Sequence, residues 1–487
     1  MKREYNIYER IVEMKVGFVS LGCSKNLVDT EKIIGIFKAE KYQIVSRPEE
    51  AEIIVINTCG FIESAKEEAI NTILEMAEYK KQKCKYLIVL GCLVERYKEE
   101  LIKALPEVDL FVKYSEYNTL WEQITEPLGS KCEAANNSGK YNIDEENKSH
   151  TACKVTNMEK YSEFDTIEER VVSTGNNFAY LKIADGCSNR CTYCAIPYIR
   201  GSQISRKMED IIREAKKLAS DGYKELILIA QDTTKYGLDI YGKTMLAQLL
   251  QELCKIEQLH WIRFLYAYPE TIDDELIKVV KENEKICKYF DIPIQHISNT
   301  VLKRMNRQSD SSSIRELIRK LREEIPEVVI RTTVMVGFPG ETEEEFNELY
   351  EFLKEAKFDK LGCFAYSKED GTPAARIKEQ VHPMTKKSRY NKIMKLQQEI
   401  SKKNLRDKIG KEVEILIENA TFDNKVYIGR TSFDVPEIDG IVYLRTKKVK
   451  ENNISNGQIE EAGLVQVGEF IRAIVVKVSD YDLICEF

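Results

Sequence analysis

Within the run KIADGCSNRCTYCAIPYIRG, residues 182–201, Cys187, Cys191 and Cys194 stand in CxxxCxxC spacing, directly after an apolar strand-like segment. No other stretch restricts the fold as tightly. Thiolate is the soft ligand preferred by iron–sulfur clusters and zinc, and a compact run can wrap one inorganic centre. Three local thiolates leave one position of a four-ligand zinc or 4Fe-4S site unfilled, so one metal corner stays open to a substrate or cofactor. Two other readings use the same residues: a zinc ribbon completed by a distant cysteine, and three cysteines buried as small hydrophobes.

The rest of the chain reads as three blocks. In residues 14–128 apolar strands (KVGFVSL, AEIIVIN, KYLIVL, DLFV) alternate with helical patterns at Asn26–Glu40 and Glu63–Tyr79, which predicts a parallel α/β sheet. Cys23, Cys59 and Cys92 each follow one of these strands. Ligands of open α/β sheets gather at the carboxyl ends of strands, so the three can converge on one site; ordinary buried cysteines would explain any one of them alone. Residues 129–172 are rich in Asn, Ser, Lys and Glu and read as a linker. Residues 173–403 repeat strand and helix six times (FAYLKIA, ELILIA, HWIRFLYA, YFDIPI, VVIRTTVMVG, DKLGCFAY), as a (β/α) barrel requires, with the cysteine motif on the carboxyl edge of the first strand. Within this block a basic helical connector begins near residue 378. Residues 404–487 hold short β-rich runs parted by Gly, Asn and Asp, a small antiparallel barrel. The first 13 residues read as a disordered extension.

Thirteen cysteines behind an N-terminus with no secretion segment favour metal ligation over disulfides, and a cytoplasmic location. No apolar run reaches the roughly 20 residues that span a bilayer. The net charge of −7 disfavours a broad nucleic-acid surface, leaving RNA contact secondary.

The cysteine motif resembles the cluster-binding motif of the radical S-adenosylmethionine (radical SAM) enzymes, whose core is a partial (β/α)6 barrel. SLGCSKNLVDTE, INTCGFI and GCLVERY are similar to the N-terminal motifs of the methylthiotransferases within that superfamily, and GRTSFDVPEIDG resembles the core of their C-terminal TRAM β-barrel. The resemblance implies one 4Fe-4S cluster on Cys187, Cys191 and Cys194, a second on Cys23, Cys59 and Cys92, and S-adenosylmethionine as cofactor. Its reaction is insertion of sulfur and a methyl group into a C–H bond. Cys84, Cys132 and Cys153 match no motif and read as structural. Gln231 and Asp232 after the second strand, Arg331, and Gly337 and Glu341 after the fifth are candidates for holding the cofactor; Arg200 and His296 are further candidates.

The family divides into enzymes acting on a tRNA adenosine and enzymes acting on an aspartate of the small-subunit ribosomal protein uS12. AIPYIRG, AQDTTKYGLDIYG, YFDIPIQHIS and LKRMNRQS resemble the ribosomal-protein branch. Residues 405–487 carry a net charge of −4, a complement to a basic ribosomal protein rather than to RNA. Asp434, Glu437 and Asp439 cluster in one loop and are the expected contact; a solvated acidic loop is the other reading. An electron donor such as flavodoxin or ferredoxin and a sulfur donor are the remaining implied partners, with no membrane.

Overall fold

The structure, a computed structural model, describes residues 14–125, 170–175, 177–421, 426–445 and 465–487. The expected extension, nearly all of the expected linker, Cys132 and Cys153 lie outside the described residues. The chain forms two compact units: the first runs up to Ser173 and includes Asp185–Ser188 and Cys194–Arg206, while the second holds Thr174–Ala184, Asn189–Tyr193 and Lys207–Phe487.

In the first unit the strands Lys15–Ser20 (β1), Gln43–Val45 (β2), Ile53–Thr58 (β3), Tyr86–Gly91 (β4) and Leu110–Lys113 (β5) form one sheet in the order β2-β1-β3-β4-β5. Every pairing is parallel. Helices Ser24–Ala39 (α1), Glu63–Ala77 (α2) and Cys92–Ala104 (α3) follow β1, β3 and β4. IIVINT and YLIVLG are buried at every position, because helices cover both faces of a parallel sheet and leave no polar side. Alternate residues feed opposite cores: Ile53, Val55, Ile88 and Leu90 pack with Phe37 of α1, and Ile54, Ile56, Leu87 and Val89 with Ile73 of α2. The strand order reverses between β1 and β3, which opens a crevice at their carboxyl ends.

In the second unit the strands Phe178–Lys182 (β6), Glu225–Ile229 (β7) and Trp261–Phe264 (β8) form one parallel sheet, and Tyr289–Gln295 (β9), Val329–Val336 (β10) and Lys360–Ala365 (β11) another. Backbone bonds from Cys287 to Ile262 (3.0 Å) and from Ala267 to Asp291 (2.8 Å) join β8 to β9, so six strands run on as a partial barrel. Its helices are Met208–Ser220 (α4), Leu246–Cys254 (α5), Asp274–Glu282 (α6), Ser311–Glu324 (α7) and Glu343–Ala356 (α8). The basic connector is the helix Pro383–Arg406 (α9). Beyond it Glu412–Ala420 (β12), Val426–Thr431 (β13), Val442–Arg445 (β14), Phe470–Val478 (β15) and Leu483–Glu486 (β16) close into a barrel in the order β12-β13-β14-β16-β15. One pair, β14 with β16, is parallel, where the sequence suggested an antiparallel barrel throughout. Closure removes the free edges that a small sheet would otherwise expose.

The loop after β13 fills the amino-terminal end of the six-stranded barrel. Arg430 pairs with Glu225 at the start of β7 and with Glu418 at 2.6 Å. Arg263 of β8 binds Glu225 at 3.0 Å and donates to the Ser432 carbonyl at 3.0 Å. Asp434 pairs with Lys360 at the start of β11, 2.7 Å. Asp439 accepts the Tyr289 hydroxyl at 2.7 Å and faces Arg331 at 3.9 Å. The expectation that Asp434 and Asp439 meet a partner at the surface is therefore corrected: their side chains are only 8 % and 3 % exposed, spent on cations of the barrel strands. Glu437 alone of the three is exposed. The acidity of residues 405–487 is in part internal neutralisation and is no guide to a docking surface.

Burial works against ionisation of Glu225, yet the Arg430 and Arg263 guanidiniums outweigh it and hold the carboxyl below its ordinary range. Replacing Arg430 with Met leaves Glu225 with Arg263 alone and takes the cation from Glu418, and should cost about 3–5 kcal/mol, read as a lower urea midpoint. Adding Glu225→Gln to that variant should recover none of the loss, because the buried Arg263 then loses its carboxylate. Because the folded value lies below the unfolded one, the pair stabilises the parent at neutral pH, and that contribution drains as pH falls through the carboxylate range. The parent should therefore lose more midpoint than the double variant between pH 7 and pH 4.

Candidate functional site

In the first unit Cys23, Cys59 and Cys92 follow β1, β3 and β4 at the carboxyl edge of the sheet. Cys23 caps α1 and Cys92 opens α3, placing their sulfurs at helix amino ends, where the dipole favours thiolate. Gly22 has φ +88°, and a Cβ there would lie 2.5 Å from the Cys59 Cβ, so the turn bearing Cys23 closes on Cys59 only because position 22 lacks a side chain. The three thiols act on one another electrostatically. Burial raises the Cys59 thiol and pushes Cys92 up to about 12, while the Arg200 guanidinium opposes both shifts. Cys23 is exposed, whereas Cys59 and Cys92 are buried, so the group is open on one side. Among the described residues no three His, Cys, Asp or Glu side chains close around a single ion.

A polar network that sequence reasoning missed surrounds these thiols. Asn26, fully buried on α1, donates to the carbonyls of Leu21 and Thr58 at 3.1 and 3.0 Å, fixing the ends of β1 and β3. Its Oδ1 accepts from the Cys92 thiol at 3.5 Å and from Arg200 at 2.5 Å. Asp29 binds Arg200 at 2.9 Å, and Glu31 holds Arg170 at 2.6 Å and the Ser173 amide at 2.6 Å. The run of Asn26, Asp29, Thr30 and Glu31 at the start of the helix reads in sequence as a solvated polar face, so no local signal marked it as buried. A helix face cannot bury such groups without partners.

The loop bearing the second cysteine set contributes to both units. In the first, the Cys187 amide donates to the Gly201 carbonyl at 3.0 Å, and Ala195 and Ile199 pack on Cys92. In the second, Thr192 anchors Asn189–Tyr193: its amide and hydroxyl donate to the Met305 and Arg304 carbonyls at 3.1 and 2.8 Å. The Cys191 sulfur lies 4.0 Å from the Tyr268 hydroxyl, and Arg307 stacks on the Tyr268 ring at 4.3 Å. Cys84, read as structural, hydrogen-bonds the Tyr86 carbonyl inside the sheet core.

The cofactor candidates fare unevenly. Gln231 and Asp232 follow β7 at the carboxyl edge. Asp232 is buried and accepts from Asn189 (2.8 Å) and Thr234 (2.6 Å); burial raises its carboxyl. Arg331 is corrected: it sits at the opposite end of the barrel, paired with Asp291 at 2.8 Å. Glu341 is also corrected. It accepts the Phe338 amide at 2.9 Å and faces Arg389 of α9 at 3.2 Å, so it closes its own loop; burial pushes its carboxyl up to about 7. Gly337, at φ +70°, makes room for Lys386, whose Cγ would stand 2.4 Å from a Cβ there. Its freedom serves the packing of α9.

His296, just past β9, is fully buried; its Nδ1 accepts the Ser298 amide at 3.0 Å. Burial, with Arg304 and Arg389 nearby, drives it down to about 3, so the ring is neutral and carries its proton on Nε2. That N–H has no partner among the described residues, nor does Tyr366 Oη. The two follow directly on the carboxyl ends of β9 and β11. Buried orphan donors and acceptors of this kind suit a small ligand rich in hydroxyl, amino and carboxylate groups, as S-adenosylmethionine is.

Family models match along three stretches: Uncharacterized protein family UPF0004 over residues 15–113, Radical SAM superfamily over 181–353 and TRAM domain over 409–487. A solved radical S-adenosylmethionine methyltransferase, TsrM from Kitasatospora setae, superposes with a TM-score of 0.51 at 14 % identity, covering 74 % of each chain, a likeness of fold. The ribosomal protein uS12 methylthiotransferase RimO of Alkaliphilus oremlandii is 59 % identical over 97 % of this chain and 99 % of its own. The RimO of Caldicellulosiruptor saccharolyticus is 49 % identical over the same shares. With that identity extending over nearly the whole chain and all three matched stretches, the chain belongs to the radical SAM methylthiotransferases of the RimO family.

Proposed function

We propose that the chain inserts sulfur and a methyl group at the β-carbon of an aspartate of ribosomal protein uS12. It would use two 4Fe-4S clusters and S-adenosylmethionine, and act in the cytoplasm with an electron donor such as flavodoxin or ferredoxin and a separate sulfur donor. The observation that carries this reading is the gathering of Cys23, Cys59 and Cys92 at the carboxyl edge of β1, β3 and β4. A radical SAM enzyme that only generates a radical needs one set of three thiolates; a second set supplies another metal corner, where sulfur can be held. Bound together, cluster and cofactor supply a carbon-centred radical strong enough to take hydrogen from an unactivated C–H bond, chemistry beyond any side chain.

The protein's own residues orient and enclose. Gly22 and Asn26 hold the turns bearing the first three thiols. Thr192 pins the loop bearing Cys191, and His296 and Tyr366 offer polar atoms at the carboxyl edge of the barrel. Residues 14–128, 173–403 and 404–487 are our reading of the three domains, with the last closing the barrel's amino end from inside. The choice of uS12 over a tRNA adenosine rests on the substrate named for the relatives.

Purified anaerobically and reconstituted, the protein should hold about eight irons, and Cys23→Ala about half that number; iron content unmoved by the substitution excludes the N-terminal cluster. Mass spectrometry of uS12 and of bulk tRNA from a deletion strain should show an unmodified aspartate with tRNA unchanged. Loss of a methylthio group from tRNA, with uS12 intact, would assign the alternative substrate.

A further inference from the structure

Arg200 is 3 % exposed and its side chain has no contact that resembles a solvated role. One guanidinium nitrogen donates to Asp185 at 2.7 Å. The other donates to Asp29 at 2.9 Å and to Asn26 Oδ1 at 2.5 Å, the same oxygen that the Cys92 thiol approaches at 3.5 Å. The plane stacks on Tyr114 at 4.3 Å, and the Tyr114 hydroxyl donates to Asp185 at 2.6 Å. The cation is thus fixed from three sides and stands beside the Cys92 sulfur, the two sharing the Asn26 Oδ1 atom. Its main chain is equally committed: the Arg200 amide donates to the Ile196 carbonyl at 2.8 Å, and the adjoining Gly201 carbonyl takes the Cys187 amide. Structure alone does not require a buried guanidinium here, since apolar residues of similar volume serve stability as well or better.

We propose that Arg200 is a positioning residue for sulfur transfer, which sets the reduction potential of the cluster on Cys23, Cys59 and Cys92 by presenting a fixed positive charge beside the Cys92 sulfur. The inference rests on the two-cluster reading above. A reduced cluster carries one more negative charge than the oxidised one, so a buried cation favours reduction, and hydrogen bonds and net charge near the sulfurs are the protein's means of tuning it. Asp29 and Asp185 hold the guanidinium in register, and the nitrogen that reaches Asn26 Oδ1 is the one turned toward the Cys92 sulfur. Arg200 leaves the chain six residues after Cys194, so one short segment supplies both a thiolate of the radical-generating set and the cation acting on the other set.

The test uses full-length protein in which Cys187, Cys191 and Cys194 are Ala, leaving one cluster to be titrated by EPR. This background should hold about four irons; if it holds none, the two-cluster reading and the proposal fail together. With iron present, Arg200→Gln should raise the oxidised-to-reduced ratio at fixed potential at least tenfold, a drop of about 59 mV for one electron. Arg200→Lys, which keeps the charge, should restore most of the difference. An iron-loaded Gln protein titrating within twofold of the background overturns the proposal and leaves the two-cluster reading standing. Should the Gln protein fail to load, Asp29→Asn decides. Relieved of one carboxylate, the same cation must lower that ratio threefold or more, and an unmoved midpoint overturns the proposal.

Discussion

A guanidinium cut off from water demands carboxylates around it, and this demand organises both units. Arg263 and Arg430 meet Glu225 inside the second unit, and Arg200 meets Asp29 and Asp185 inside the first. A buried ion pair gains little net stability, because desolvation consumes most of the attraction, but removing one partner is severe. Such pairs specify arrangement more than they stabilise. In the second unit they fix which loop enters the open end of a six-stranded barrel, and in the first they fix where a charge stands relative to three sulfurs.

The ordering of the rest follows. The six strands of the larger barrel do not close on themselves, and its amino end would expose strand termini to water. The turn after β13 enters that end carrying Asp434 and Asp439 for Lys360, Tyr289 and Arg331, so the small closed barrel and the larger open one share a polar interior within one unit. The carboxyl end is left for chemistry. There His296 and Tyr366 each leave a buried polar atom without a partner among the described residues, as expected of groups kept for a ligand rather than for folding.

Much of this was legible in the sequence, for a physical reason. Strands buried on both faces read as unbroken apolar runs, and IIVINT, YLIVLG and ELILI fall where those runs place them. The helix Asp274–Glu282 is fixed at its start by Asp273, whose side chain accepts the Leu276 amide, a local signal. The cysteines after β1, β3 and β4 were found because strand ends and ligand sites coincide in open sheets. Long-range electrostatics was not legible. Asp434 looks in sequence like any acid in a turn, and its partner lies 74 residues away. Glu341 and Gly337 looked like a cofactor loop, because a residue that makes room for a lysine from α9 and one that makes room for a ligand leave the same glycine. Asn26 and Asp29 looked like the polar face of a helix.

The run from Thr174 to Lys207 changes unit repeatedly: it belongs to the second through Ala184, returns to the first for four residues, crosses again for Asn189–Tyr193 and again at Cys194. A domain ordinarily can be cut out at its linkers and grafted elsewhere. Here no single cut leaves either unit with its full set of segments, and the CxxxCxxC triplet is itself divided between them. Recombination at the borders between Ser188 and Asn189 or between Tyr193 and Cys194 would sever the motif.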